Sequence, residues 1–219
     1  VFLPAAAIAQ DETSADPGEL VEQATQTIMT IVNEAPTYFD EDPERYYRAV
    51  GTELDKVVDF KSFARGVMGR FGTAAHYRSL DEQGQKKLRE QLDRFASVVR
   101  DGLVTTYSKG LLAFGGSNVA LGGVEYADNN ARLASVVQKV SAEGGRVYEV
   151  RYQMGLYKDG QWRLRNMIIE NVNLGEVYRS QFESAADKAD GDLDVVIASW
   201  NAAALDDQTF DDGDDNGSN

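Results

Sequence analysis

The stretch Arg146-Val147-Tyr148-Glu149-Val150-Arg151-Tyr152-Gln153-Met154-Gly155-Leu156-Tyr157-Lys158-Asp159-Gly160-Gln161-Trp162 decides the fold class. Tyr148, Val150, Tyr152, Met154 and Leu156 fall on every second position, with Glu149, Arg151 and Gln153 between them. A period of two with one apolar face is the mark of a half-buried β-strand. Lys158-Asp159-Gly160-Gln161 then carries the Asp-Gly pair that favours a tight hairpin. The strand over 146–158 is therefore followed by an antiparallel partner over 161–171. Strict alternation in that partner would put Trp162, Leu164, Asn166 and Ile168 on one face and Arg163, Arg165, Met167 and Ile169 on the other. Two further strands are expected before it, near 119–126 and 131–141, with Glu143-Gly144-Gly145 as a later turn.

The period changes outside this meander. Asp16-Pro17 and Asp42-Pro43 each place a capping carboxylate before a proline suited to the first helical position. Helical apolar spacing follows both, through Leu20, Val21, Ala24, Ile28, Ile31 and Val32, then Tyr46, Tyr47, Val50, Leu54 and Val57. A third helix is expected over 60–68. Ser79-Leu80-Asp81-Glu82 has the form of a capping box and would open a long helix carrying Leu88, Leu92, Phe95, Val99 and Leu103 to about Tyr107. The apolar, glycine-rich 109–116 reads as a broken turn region. Helical signals return over 174–189 and 193–205. Helices, then an antiparallel meander of about four strands, then helices again, is an α+β arrangement.

The charge of −14 is unevenly spread. Removing the six aspartates of 206–219 from the total of −14 leaves residues 1–205 at −8. An acidic body disfavours nucleic acid and anionic membrane surfaces as non-specific partners. No run of residues reaches the length of about 20 apolar positions that a membrane-spanning helix needs. At the other end, Val1 to Ala9 is apolar and closes on Ala7-Ile8-Ala9 before Gln10-Asp11-Glu12. That pattern is expected to be the remnant of a signal peptide (1–9), which implies export. A single domain is expected over 16–205, with 206–219 as an acidic disordered tail.

The catalytic inventory is thin. There is no cysteine, and the one histidine, His76, makes neither a triad nor a zinc site by itself. No G-x-S-x-G, H-E-x-x-H, phosphate-binding loop or EF-hand order occurs. What stands out is apolar. Phe60, Phe63, Met68 and Phe71 are crowded into one short region, and Leu111, Leu112 and Phe114 lie among glycines where polar loop residues are usual. A helical layer over a sheet can close into a dry core or leave a cavity for an apolar ligand, and periodicity leaves both open.

Two blocks carry a resemblance. One is Val57-Val58-Asp59-Phe60-Lys61-Ser62-Phe63-Ala64-Arg65-Gly66-Val67-Met68-Gly69-Arg70. The other is Trp162-Arg163-Leu164-Arg165-Asn166-Met167-Ile168-Ile169-Glu170-Asn171-Val172-Asn173-Leu174 with Tyr178-Arg179-Ser180-Gln181-Phe182 after it. Together they resemble the MlaC-type proteins of the outer-membrane lipid-asymmetry pathway, the toluene-tolerance family. The resemblance implies a curved nuclear-transport-factor-like sheet under a helical cover, enclosing an apolar cavity for phospholipid acyl chains. It implies a periplasmic carrier that is not an enzyme and has no cofactor, its lipid being cargo. The implied partners are an outer-membrane lipoprotein–porin complex and an inner-membrane ABC transporter with a substrate-binding ring. A monomer with no nucleic-acid partner is expected. The sequence departs from the family pattern in its acidic tail and at Asn171, where a glycine is expected.

On that basis the cavity lining is expected from Phe60, Phe63, Val67, Phe71, Leu103, Tyr107, Val137, Tyr152, Met154, Ile168 and Val172. Each of these side chains is equally suited to a dry core. Tyr178 and Arg179 are candidates to orient a headgroup phosphate, because a guanidinium makes paired hydrogen bonds to it. An ion pair between Arg179 and a nearby carboxylate is the simpler alternative. The rival reading of the whole chain is an isomerase or dehydratase of the same fold acting on a small apolar substrate, which would need a buried titratable pair.

Overall fold

The computed structural model describes residues 16–113, 118–141, 145 and 147–200. The expected signal-peptide remnant and acidic tail lie outside the described residues.

The described residues form, in order, α1 (Pro17–Glu34), α2 (Pro43–Val57), α3 (Phe60–Val67), α4 (Ala74–Ser79), α5 (Glu82–Ala113), β1 (Asn118–Ala127), β2 (Asn130–Ser141), β3 (Val147–Leu156), β4 (Trp162–Ile169), β5 (Val172–Asn173), α6 (Leu174–Lys188) and α7 (Leu193–Ser199). The α+β class is as the sequence predicts. Asp16 caps α1 by accepting from the backbone of Gly18 at 2.8 Å, and Asp42 caps α2 by accepting from Arg45 at 3.0 Å. The predicted Ser79 box does not form. The Ser79 hydroxyl donates to His76 within α4, and Asp81 takes over as the cap of α5, accepting from Gly84 at 2.7 Å. Asp81 wins because α4 uses Ser79 as its last residue, leaving the extended Leu80 to reverse the chain. The region from Lys109 is helical to Ala113, so α5 runs six residues past the predicted end at Tyr107.

The sheet is antiparallel throughout, in the order β1-β2-β3-β4-β5. Tyr152 pairs with Val136 and Met167, and Met154 pairs with Ala134 and Leu164, fixing one face. Here the predicted alternation fails in β4. Gln153 pairs with Asn166 while its neighbour Met154 pairs with Leu164, so Arg165 is an extra, bulged residue. A bulge shifts the pattern by one position and reverses which side chains face inward. Trp162 and Leu164 therefore share a face with Met167 and Ile169. Ile168 lies across from Arg151 on the other face.

Helix α1 covers part of the sheet, packing Val21 and Leu20 over Val136, Met154 and Trp162. Helices α3, α5, α6 and α7 enclose a larger cluster, and α1, α2 and the end of α5 enclose a third around Tyr46 and Val50. Tyr46 is fully buried, and its hydroxyl donates to the Ser108 carbonyl at 2.8 Å. The β4–β5 hairpin answers the Asn171 question. Its left-handed residue is Glu170 (φ 55°), so Asn171 occupies a position that does not require glycine.

Candidate functional site

Asp59 fixes where α3 begins. Its backbone N–H donates to the Leu164 carbonyl on β4 at 2.9 Å, and its carboxylate accepts from the Ser62 N–H at 2.8 Å. From this anchor α3 turns Phe63, Ala64 and Val67 inward, one helical face against α5 and α6. Phe63 meets Tyr178 edge-on at 6.2 Å, and Phe95 meets Phe182 at 4.8 Å. Phe71, Leu103, Tyr107, Met167, Ile169 and Val172 are half-buried and pack against this cluster. They give it a broad apolar margin shared by helices and sheet.

The predicted cavity residues divide. Phe63, Val67, Phe71, Leu103, Tyr107 and Val172 are brought together in or against the cluster just described. Met154 and Tyr152 belong to the separate cluster beneath α1. Phe60 is half-buried and lines a surface cleft with Val58, Ala96 and Arg100. Val137 and Ile168 both pair with Arg151 and occupy the sheet face opposite Tyr152 and Met154. For Ile168 the cause is the Arg165 bulge. Sequence reasoning missed Met167 and Ile169 for the same reason, since a bulge leaves no mark in hydropathy.

Tyr178 and Arg179 separate as neighbours on a helix must. Tyr178 is 1% exposed inside the aromatic cluster, whereas Arg179 lies on the surface. The ion pair favoured for Arg179 is not present among the described residues. Glu183, one turn on, instead accepts from the backbone N–H of Arg70 at 2.8 Å. Arg179 and Glu183 join Ser62, Arg65, Gly66, Gly69, Arg70, Gly72, Thr73 and Arg165 around a cleft of about 570 Å³. A neighbouring cleft of about 440 Å³ lies between α2, α3, α5 and the β3–β4 hairpin.

That second cleft holds the nearest approach to an acid–base pair. The Tyr157 hydroxyl donates to Asp59, and the Ser62 hydroxyl lies 3.2 Å from it. Burial by itself would raise the Asp59 carboxyl, but these hydrogen bonds and the Arg163 charge hold it below the ordinary carboxylate range. Burial and the Asp59 carboxylate push Tyr157 up. A carboxylate with lowered pKa that already accepts several hydrogen bonds is a weak base. His76 packs its ring edge-on against Phe71 at 5.7 Å. Among the described residues no group of acidic or histidine side chains is placed to hold a metal ion. No described helix is long and apolar enough to cross a membrane.

A family model described as MlaC protein matches residues 22–202. The chain belongs to the MlaC family. Toluene tolerance protein ttg2D from Pseudomonas putida is 28% identical over 184 residues, a match spanning 84% of this chain and 79% of that protein. The phospholipid-binding protein from Ralstonia solanacearum, solved in complex with a phospholipid, superposes with a TM-score of 0.67 at 20% identity. That likeness covers 84% of this chain and 98% of the other. The helix-and-sheet arrangement built above is thus the MlaC-type fold.

Proposed function

We propose that this chain is a periplasmic carrier of phospholipid, moving lipid between outer- and inner-membrane complexes to maintain outer-membrane asymmetry. The observation that supports it most is the likeness to a family fold that, in the R. solanacearum protein, holds a phospholipid. The acyl chains would lie against the apolar margin of the helical cluster, where Phe71, Leu103, Tyr107 and Val172 are half-buried. The role is binding and delivery, not catalysis. The lowered pKa of Asp59 makes it a weak base, which disfavours the enzyme reading.

The energetics constrain delivery. Each buried methylene contributes about 0.8 kcal/mol, so two long acyl chains represent roughly 20 kcal/mol of gross transfer free energy. Release into water at a useful rate is closed by that figure. The lipid passes directly to a docked partner, an outer-membrane lipoprotein–porin complex on one side and an inner-membrane ABC transporter with a substrate-binding ring on the other. Native mass spectrometry of the chain purified gently from cells, followed by solvent extraction, tests the reading. A bound mass matching a phospholipid is expected, and a uniformly ligand-free protein would overturn it.

A further inference from the structure

The cleft between α3, the Arg165 bulge and α6 is lined by Arg65, Arg70, Arg165 and Arg179 against one carboxylate, Glu183. Acidic residues outnumber basic ones by 36 to 22. Several arginines elsewhere in the fold find carboxylates, although Arg45 stacks on Tyr38, Arg89 bonds Tyr77 and Arg132 bonds the Leu156 carbonyl instead. Arg100 holds Asp55 through two bonds of 2.7 Å, Arg151 holds Glu125 at 2.8 Å, and Arg163 holds Asp159 at 2.7 Å. Within the cleft only Arg70 has an ion-pair partner, Asp187. Arg65, Arg165 and Arg179 have no side-chain hydrogen bond or ion pair among the described residues. Glu183 brings one negative charge to the cleft, its carboxylate accepting from the Arg70 backbone N–H and forming no ion pair with Arg65, Arg165 or Arg179 among the described residues, so positive charge remains in excess.

Unpaired guanidinium groups gathered around a concave surface repel one another, and that repulsion is relieved when an anion binds between them. Their planar, forked donors match the oxygens of a phosphate. The same two helices carry the apolar cluster on their other faces, α3 through Phe63 and Val67 and α6 through Tyr178 and Phe182. A phosphate in this cleft is therefore about one helix diameter, roughly 10 Å, from the apolar side chains. We propose that Arg65, Arg165 and Arg179 form a phosphate-ester site that holds the headgroup phosphate of the carried lipid. The site rests on the carrier reading for its source of phosphate, but its anion chemistry stands independently of that reading.

The test compares the full chain with the R65Q/R165Q/R179Q variant in calorimetric titrations. Three probes are used: dihexanoylphosphatidylglycerol, dihexanoylglycerol and inorganic phosphate. Loss of side chains that hold no partner leaves the thermal unfolding curve unchanged, which serves as the folding control. The expected result is about tenfold tighter binding of the phospholipid than of dihexanoylglycerol by the natural chain, with that preference lost in the variant. Inorganic phosphate binding that depends on the arginines, without binding of either lipid, would support the anion site and overturn the carrier. Equal binding of the two lipids, unaffected by the variant, would overturn the site and leave the carrier standing. No binding of either phosphate probe would also overturn the site.

Discussion

The carbonyl oxygen of Arg65 faces the α-carbon of Gly72 so closely that no β-carbon fits between them. The chain doubles back here, from the last turn of α3 through a 3-10 turn to the start of α4, and builds the floor of the arginine cleft from glycine. Because the obstructing atom belongs to the backbone, it cannot swing away. Gly72→Ala is expected to cost about 1–3 kcal/mol, measured as a lower urea midpoint with an unchanged slope. Gly69 lies in the same turn with φ 54°, so Gly69→Ala adds backbone strain of about 1–2 kcal/mol.

Asp59 joins α3 to the sheet edge. Asp59→Ala removes the cap on Ser62 and the acceptor for Tyr157, and is expected to destabilise the fold by about 1–2 kcal/mol. Asp59→Asn keeps a capping oxygen and should recover at least half of that loss. Equal losses for the two variants in urea unfolding would show that the charge and not the cap is what matters.

The legible part of this fold was whatever repeats with a fixed period. The two Asp-Pro caps, the apolar stripes of α1 and α2 and the alternation of β3 all follow from local chemistry, and the structure has them where the residues put them. The bulge at Arg165 is set by the pairing between β3 and β4, so it left Met167, Ile168 and Ile169 on unexpected faces. The arginine cleft was missed because Arg65, Arg165 and Arg179 come from three distant segments. All three stand in the family blocks, but only Arg179 is a headgroup candidate from the sequence.

Tyr46 and Asp194 set opposite ends of the pH range. Burial, together with the nearby Tyr38 and Tyr47, pushes the Tyr46 hydroxyl up to about 12. A group whose folded pKa is raised stabilises fully below its unfolded value near 10, and that contribution is lost as pH rises toward 12. Arg94 and Lys87 hold Asp194 down to about 2, with a further bond from Gln91. Its contribution is present above about pH 4 and lost as pH falls toward 2. Tyr46→Phe should cost about 1–2 kcal/mol at neutral pH, because the Ser108 carbonyl is left buried without its donor. Asp194→Asn should cost up to about 1 kcal/mol at pH 7, its ion pairs being partly exposed. Urea midpoints taken across the pH range should show the Asp194 difference closing below pH 4 and the Tyr46 difference narrowing above pH 10.

Lipid occupancy should respond to the margin of the helical cluster and not to the far face of the sheet. Leu103→Trp fills the half-buried margin and is expected to lower the phospholipid-bound fraction several-fold in native mass spectra. Ile168→Trp, opposite Arg151 on the other face, should leave that fraction unchanged. The reverse result would move the acyl-chain site to the other side of the sheet.

The single extra residue in β4 has a bearing on how such a chain can change over generations. Because it both restores the dry face to Met167 and Ile169 and sends Arg165 out toward the cleft, one insertion specifies two surfaces at once. Deleting it would turn the second half of the strand inside out while withdrawing a positive charge from the rim. An insertion or deletion at this position therefore changes packing and recognition together, whereas a substitution of Arg165 alters the cleft alone.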